Sequence, residues 1–172
     1  MSTRSHIEFV WEEEKITHLI YRHSDGYPTG LIPDLLAFLK WNSGRNSDVE
    51  YTIANYFFFE KVTTIQMLNE CSHKTDNPDT LENMLDASTA QLGYGLCEPK
   101  GIHGDCEWFY RVTFRKAGHI DIDVYKMKFD MEYKDINEDC HCGVLIISDP
   151  QTYEVKEELL SLMEKNGSIA YA

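Results

Sequence analysis

Apolar and polar residues alternate along Ile7, Phe9 and their neighbours His6 and Glu8, which predicts a strand over 5–11. Glu12 to Lys15 reads as a polar turn, and the β-prone run 16–22 resumes after it. The two segments predict an antiparallel hairpin. Leu31, Ile32, Leu35, Leu36, Phe38 and Leu39 then recur at helical spacing over 30–41. Pro33 is tolerated only in a first turn, which sets the predicted helix start close to Thr29. Ser47 with Glu50 matches a capping box, so a second helix is expected over 48–69, with Val49, Ile53 and Phe57 inward. The run Tyr56–Phe59 lacks the basic neighbours of a base-stacking platform and is assigned to the core.

Asn77-Pro78 signals another helix start, with Leu81, Met84 and Leu85 as its apolar positions. A glycine-weakened strand is expected over 91–96, and strong strands over 106–114 and 119–125. In the last of these Ile120, Ile122 and Val124 face inward while Asp121 and Asp123 face out. Residues 129–142 read as a loop and Gly143–Ile147 as a short strand. Asp149-Pro150 opens a final helix over 150–165, capped by Gly167. The expectation is a single α+β domain over 1–172. Two hairpins and a late strand would form an antiparallel sheet with helices mainly on one face.

A length of 172 residues, with 42% hydrophobic and 12% aromatic residues, suits a globular chain with a real core. No apolar run approaches the roughly 20 residues of a membrane-spanning helix. Met1 to Arg4 lead directly into a mixed charged strand instead of a secretory signal, so a cytoplasmic location is expected. Five cysteines, an odd number, fit a reducing compartment better than a disulfide framework. The formal charge of −13 argues against direct nucleic-acid binding, because phosphate contacts dominate that affinity. It leaves open an acidic surface offered to a basic protein partner.

The densest candidate chemistry is Tyr21-Arg22-His23-Ser24-Asp25-Gly26-Tyr27-Pro28, at the turn between the second strand and the first helix. Free amides at a helix N-terminus attract anions. Arg22 could clamp a phosphate or carboxylate, His23 could donate or transfer a proton with Asp25 orienting it, and Tyr21 or Tyr27 could stack on a ring. In the structural alternative Arg22 pairs with Asp34 or another acid, Asp25-Gly26 is only a turn and the tyrosines pack. Strand alternation puts Tyr21 and His23 on one face and Arg22 on the other. Sequence neighbours facing apart also make Ser24 a poor nucleophile for His23. His103 and Asp105 would join this site if the two hairpins are adjacent.

Cys97, His103, Cys106, Cys140, His141 and Cys142 have ligand chemistry for zinc but lack paired Cys-x-x-Cys spacing. No metal or cofactor is assigned. The Asp121 and Asp123 pair could bind a divalent cation but is read as a solvated face. No glycine-rich phosphate fingerprint occurs.

Met1-Ser2-Thr3-Arg4, the Tyr21–Pro28 string, Pro33-Asp34-Leu35-Leu36 and His103–Tyr110 resemble a family of small proteins from phages, bacteria and archaea with no settled activity. The resemblance covers about half the chain. In that family the position of Ser24 is often aromatic, which weighs further against a serine nucleophile. The cysteine-rich loop at Cys140 lies outside the pattern. The reading that follows is a binding protein, with no catalytic residue assigned, that holds a small anionic or nucleotide-like ligand at Tyr21, Arg22, His23, Asp25, Tyr27, His103 and Asp105. The resemblance implies a viral or mobile-element setting and sequestration of a host signal. The alternatives are a phosphoester hydrolase using His23 with Asp25 or Asp105, and an acidic inhibitor of a basic protein. A homo-oligomer is compatible with all three, and an interface between copies could complete the pocket.

Overall fold

β-Strands Ser5–Trp11 (β1) and Ile16–Arg22 (β2) pair antiparallel in the register that a turn at 12–15 dictates, with Trp11 opposite Ile16 and His6 opposite Tyr21. The computed structural model describes residues 3–72 and 93–169. The other elements are α1 (Pro28–Trp41), α2 (Val49–Ser72), β3 (Tyr94–Cys97), β4 (Trp108–Phe114), β5 (Ile120–Lys126), β6 (His141–Ile147) and α3 (Glu157–Ile169). The helix expected after Asn77 lies outside the described residues.

The fold is α+β, built on a six-stranded sheet in the order β3-β2-β1-β4-β5-β6. The sheet is mixed, which corrects the expectation of an antiparallel one: β4 runs parallel to β1, while the remaining neighbours are antiparallel. Between β2 and β4, which returns to β1, the described residues include α1, α2 and β3. A connection of that length lets β4 enter along β1's free edge in the same direction.

The helices cover the face carrying Ile7, Phe9, Trp11, Ile20, Tyr110, Val112, Ile122, Val124 and Leu145. Leu31, Ile32, Leu35, Phe38 and Leu39 of α1 and Tyr56 of α2 close that core. Proline opens α1 at Pro28, and Pro33 lies inside the helix instead of in its first turn. Pro33 has no amide to give Thr29, so its cost falls on one carbonyl near the helix start. Asp48, not Ser47, leads α2: its Oδ1 accepts from the Tyr51 amide at 3.3 Å.

The last helix begins later than expected. Asp149 instead organises a turn through the Gln151 amide and the Thr152 hydroxyl. Gly167 is not a cap; it sits within α3, where an added Cβ would stand 2.8 Å from Trp108.

The opposite face of the sheet is not solvated either. His6 and Glu8 are 0% and 1% exposed. Residues 97–106 and 127–140 fold over this face, where Leu19, Phe109, Tyr125, Met127 and Cys140 form a second core with Ile102, Met131, Tyr133 and Ile136. The expected loop over 129–142 is thus a packed lid with two short 3-10 turns, Tyr133–Asp135 and Glu138–Cys140. Polar side chains beneath it find partners. Tyr133 donates to Glu8 at 2.5 Å, Arg111 donates to Glu8 at 2.6 Å, and His141 Nε2 lies 3.0 Å from Asp123 Oδ1. Asp121 is likewise engaged, by Arg115. Among the described residues no helix is long and apolar enough to cross a membrane.

Candidate functional site

β2 ends by sending consecutive side chains to opposite faces. Arg22 goes to the helix face and is 5% exposed. Its Nε donates to the Ser24 carbonyl at 2.7 Å and its Nη2 to Asp34 at 2.8 Å, while its Nη1 is 3.9 Å from Glu60. Tyr94 lies beneath the guanidinium, 5.6 Å from ring centroid to Cζ, and donates its hydroxyl to Glu60 at 2.8 Å. Burial alone would lower the Arg22 pKa, but Tyr94, Tyr56, Glu60 and Asp34 raise it well above the ordinary range. Burial raises the Glu60 carboxyl, with Arg22 and Tyr94 opposing the shift. Arg22 is therefore committed to the chain's own carboxylates.

The start of α1 is also occupied. Tyr27 caps it with its carbonyl, which accepts from the amides of Gly30 and Leu31. The Thr29 amide donates to Glu164 of α3 at 2.7 Å. An anion does sit at this helix N-terminus, and it is a side chain from 135 residues further on. Asp25, not Gly26, takes the left-handed conformation, with φ 52°. Gly26 is needed for space: an added Cβ would stand 2.6 Å from Ser5 Oγ. Tyr27 is exposed and packs its ring against Gly30, away from Tyr21.

Tyr21 and His23 face the other way, under the 97–106 loop. The Tyr21 hydroxyl is 2.9 Å from His23 Nδ1, and the Tyr21 ring lies 4.7 Å from that of His103. His6, opposite Tyr21 in the ladder, completes the group at 5.1 Å from His103 and 5.8 Å from Tyr21. The His103 amide donates to His6 Nε2 at 2.8 Å, so the neutral ring of His6 carries its proton on Nδ1. That Nδ1 is buried with no partner at full hydrogen-bond geometry among the described residues, and the Ile20 backbone only partly offsets the cost of charging the ring. Burial, helped by the charge of His103, lowers the His6 pKa to about 4.

Two thiols border the group. Burial raises both Cys97 and Cys106, the latter to about 12, so each is a protonated thiol and a poor nucleophile. Among the described residues no three His, Cys, Asp or Glu side chains are placed to hold a metal. Asp105 pairs with Arg4 at the rim, and Gly104, Asp105, Cys106, Glu107, Lys126 and Phe129 line an open depression beside it.

The structure thus brings Tyr21, His23 and His103 together. It places Asp105 at their border and turns Arg22, Asp25 and Tyr27 elsewhere. His6 is the residue the sequence reading passes over. Its signal was available: with a turn at 12–15, counting back across the ladder puts His6 opposite Tyr21. Glu164 and Glu60 had no comparable local signal, because each reaches the site by tertiary packing. No protein-family model, curated protein or solved structure matches the chain.

Proposed function

We propose that the protein binds a small anionic ligand with a planar ring, nucleotide-like in shape, at Tyr21, His23 and His103. The observation that carries this reading is the packing of the His6, His23 and His103 rings around the Tyr21 ring at one end of the sheet, within a chain of net charge −13. Stacking rings and neutral-pH donors are what a base and its phosphate require. Arg4 supplies the nearby positive charge in place of Arg22, since it acts electrostatically on Tyr21 and pairs with Asp105 at the rim. Binding without turnover is favoured over hydrolysis because Asp105 is engaged by Arg4 and Tyr21 stands at His23 Nδ1. With the resemblance described above, the reading extends to an accessory protein of a phage or mobile element that sequesters a host signal.

The test is calorimetry with mono-, di- and cyclic nucleotides. A saturable ligand recovered chemically intact is the expected result, with His23→Ala and His103→Ala each weakening it about tenfold or more, the equivalent of ~1.4 kcal/mol. Recovery of an altered ligand would establish the hydrolase instead. Binding to none of these, or affinity indifferent to both substitutions, overturns the site.

A further inference from the structure

β6 is an edge of the sheet, and among the described residues it pairs only with β5. From Gly143 to Ile147 it carries no charge, no proline and no break in register; its one bulge is at Cys142, which the ladder skips between His141 opposite Tyr125 and Gly143 opposite Val124. Natural sheets usually guard an open edge with such features. Val144 and Ile146 point from this edge to the face away from the helices and are 41% and 64% exposed.

A second element shares the edge. α3 lies directly over β6, so close that an added Cβ at Gly143 would stand 2.8 Å from Met163 Cε. Leu160 and Met163 are buried toward the sheet, and Glu164 reaches Thr29 of α1. Helical geometry then sends Leu159 and Leu162 to the flank opposite α1, which overhangs the open strand. Both are exposed.

We infer that a second copy of this chain docks here, β6 against β6 antiparallel about a twofold axis, extending the sheet continuously across two protomers. Directly opposed residues in an antiparallel pair share a face, so the axis must pass through a residue and not between two. Centring on Leu145 places Val144 opposite the partner's Ile146, and Ile146 opposite the partner's Val144. The same axis brings Leu159 and Leu162 of the two α3 helices toward each other on the helix face. One operation therefore covers the backbone row and both apolar pairs, which is what an isologous interface requires. Charge points the same way: a strongly acidic chain can approach its own copy only where the surface is uncharged, and this strand is. A basic partner would find no carboxylate on this strand to pair with.

Sedimentation velocity tests the inference on the full chain. The expected result is a dimer at micromolar concentration that tightens with added salt, as self-repulsion is screened. Ile146→Lys and Leu162→Glu should each yield folded monomers by circular dichroism, while Leu96→Lys on the opposite edge leaves the dimer intact. Mixing Val144→Cys with Ile146→Cys chains should give a disulfide-linked pair, above the wild-type background, that neither chain gives alone. A wild-type monomer throughout, a dimer broken by Leu96→Lys but not Ile146→Lys, or cross-linking absent from the mixture overturns it.

Discussion

Arg22 stands between Tyr21 and His23 in the chain, yet the two faces of β2 put these residues to different uses. On the helix face, Arg22 is closed over by α1 and α2 and held by Asp34, Glu60 and the Ser24 carbonyl. On the loop face, Tyr21 and His23 are half-buried and meet His103 from a connection. A planar cation buried among carboxylates ties elements together. Rings gathered beneath a loop, at the rim of the sheet, remain within reach of a ligand. The same local density of polar residues thus divides into a clamp and a candidate site, and the pleat of the strand makes the division.

The clamp should fail most severely. Arg22→Ala leaves Glu60, 2% exposed, without its cation, and breaking a buried pair typically costs about 3–5 kcal/mol. Urea unfolding should show that loss. If the carboxylate left behind is the cause, adding Glu60→Gln to Arg22→Ala recovers part of it. A double variant as unstable as the sum of its singles would show that the two residues act independently.

The loop face should be distinguished by acid. His6 is neutral when folded, with a pKa near 4, whereas in the unfolded chain it takes up a proton near pH 6.5. The unfolded state then binds more protons between those values, so stability falls as pH drops through that window and is unaffected by this group above it. Full expression would be at most about 3 kcal/mol. His6→Gln keeps an acceptor for the His103 amide and cannot ionise, so its pH profile should be flatter than wild type between pH 6.5 and 4. Parallel profiles would remove His6 as the acid-sensitive group. Further along the same face, Tyr133→Phe deprives the buried Glu8 of a donor and should cost about 1–2 kcal/mol by chemical denaturation.

The faces differ as well in how far the sequence exposed them. Periodicity placed Leu31, Leu35 and Leu39 against Ile7 and Phe9, because a helix and a strand over one apolar core each carry the pattern in their own residues. The same alternation suggested that His6, Glu8, Asp121 and Asp123 meet solvent, yet His6 and Glu8 are buried and the two aspartates are only partly exposed. Glu8 is covered by the 127–140 segment, whose Met131, Tyr133 and Ile136 show no strand or helix period and read as a loop, and His6 by His103 of the 97–106 loop. Partners for the buried charges come from residues far along the chain, Arg111 for Glu8 and His141 for Asp123. The parallel placement of β4 beside β1 was equally hidden, since strand order depends on connections that no local pattern encodes. Arg22 with Asp34 was partly legible, because the helix that follows the strand offers Asp34 in its second turn to an arginine that faces the helices, although other acids were equally open.

Tyr21→Phe is the mildest change and the sharpest one for the comparison. It removes only the hydroxyl bonded to His23, between two half-buried groups, and should lower stability by about 1 kcal/mol or less. The ring contact with His103 stays, since it needs no hydroxyl. If the loop face is a binding site, the substitution frees His23 to reorient, and nucleotide affinity should fall while the melting temperature hardly moves. Arg22→Ala should do the reverse at permissive temperature, lowering stability sharply with little change in the affinity of the folded fraction. Were Tyr21→Phe to cost stability on the scale of Arg22→Ala, with affinity unchanged, both faces would be structural and the distinction drawn between them would be lost.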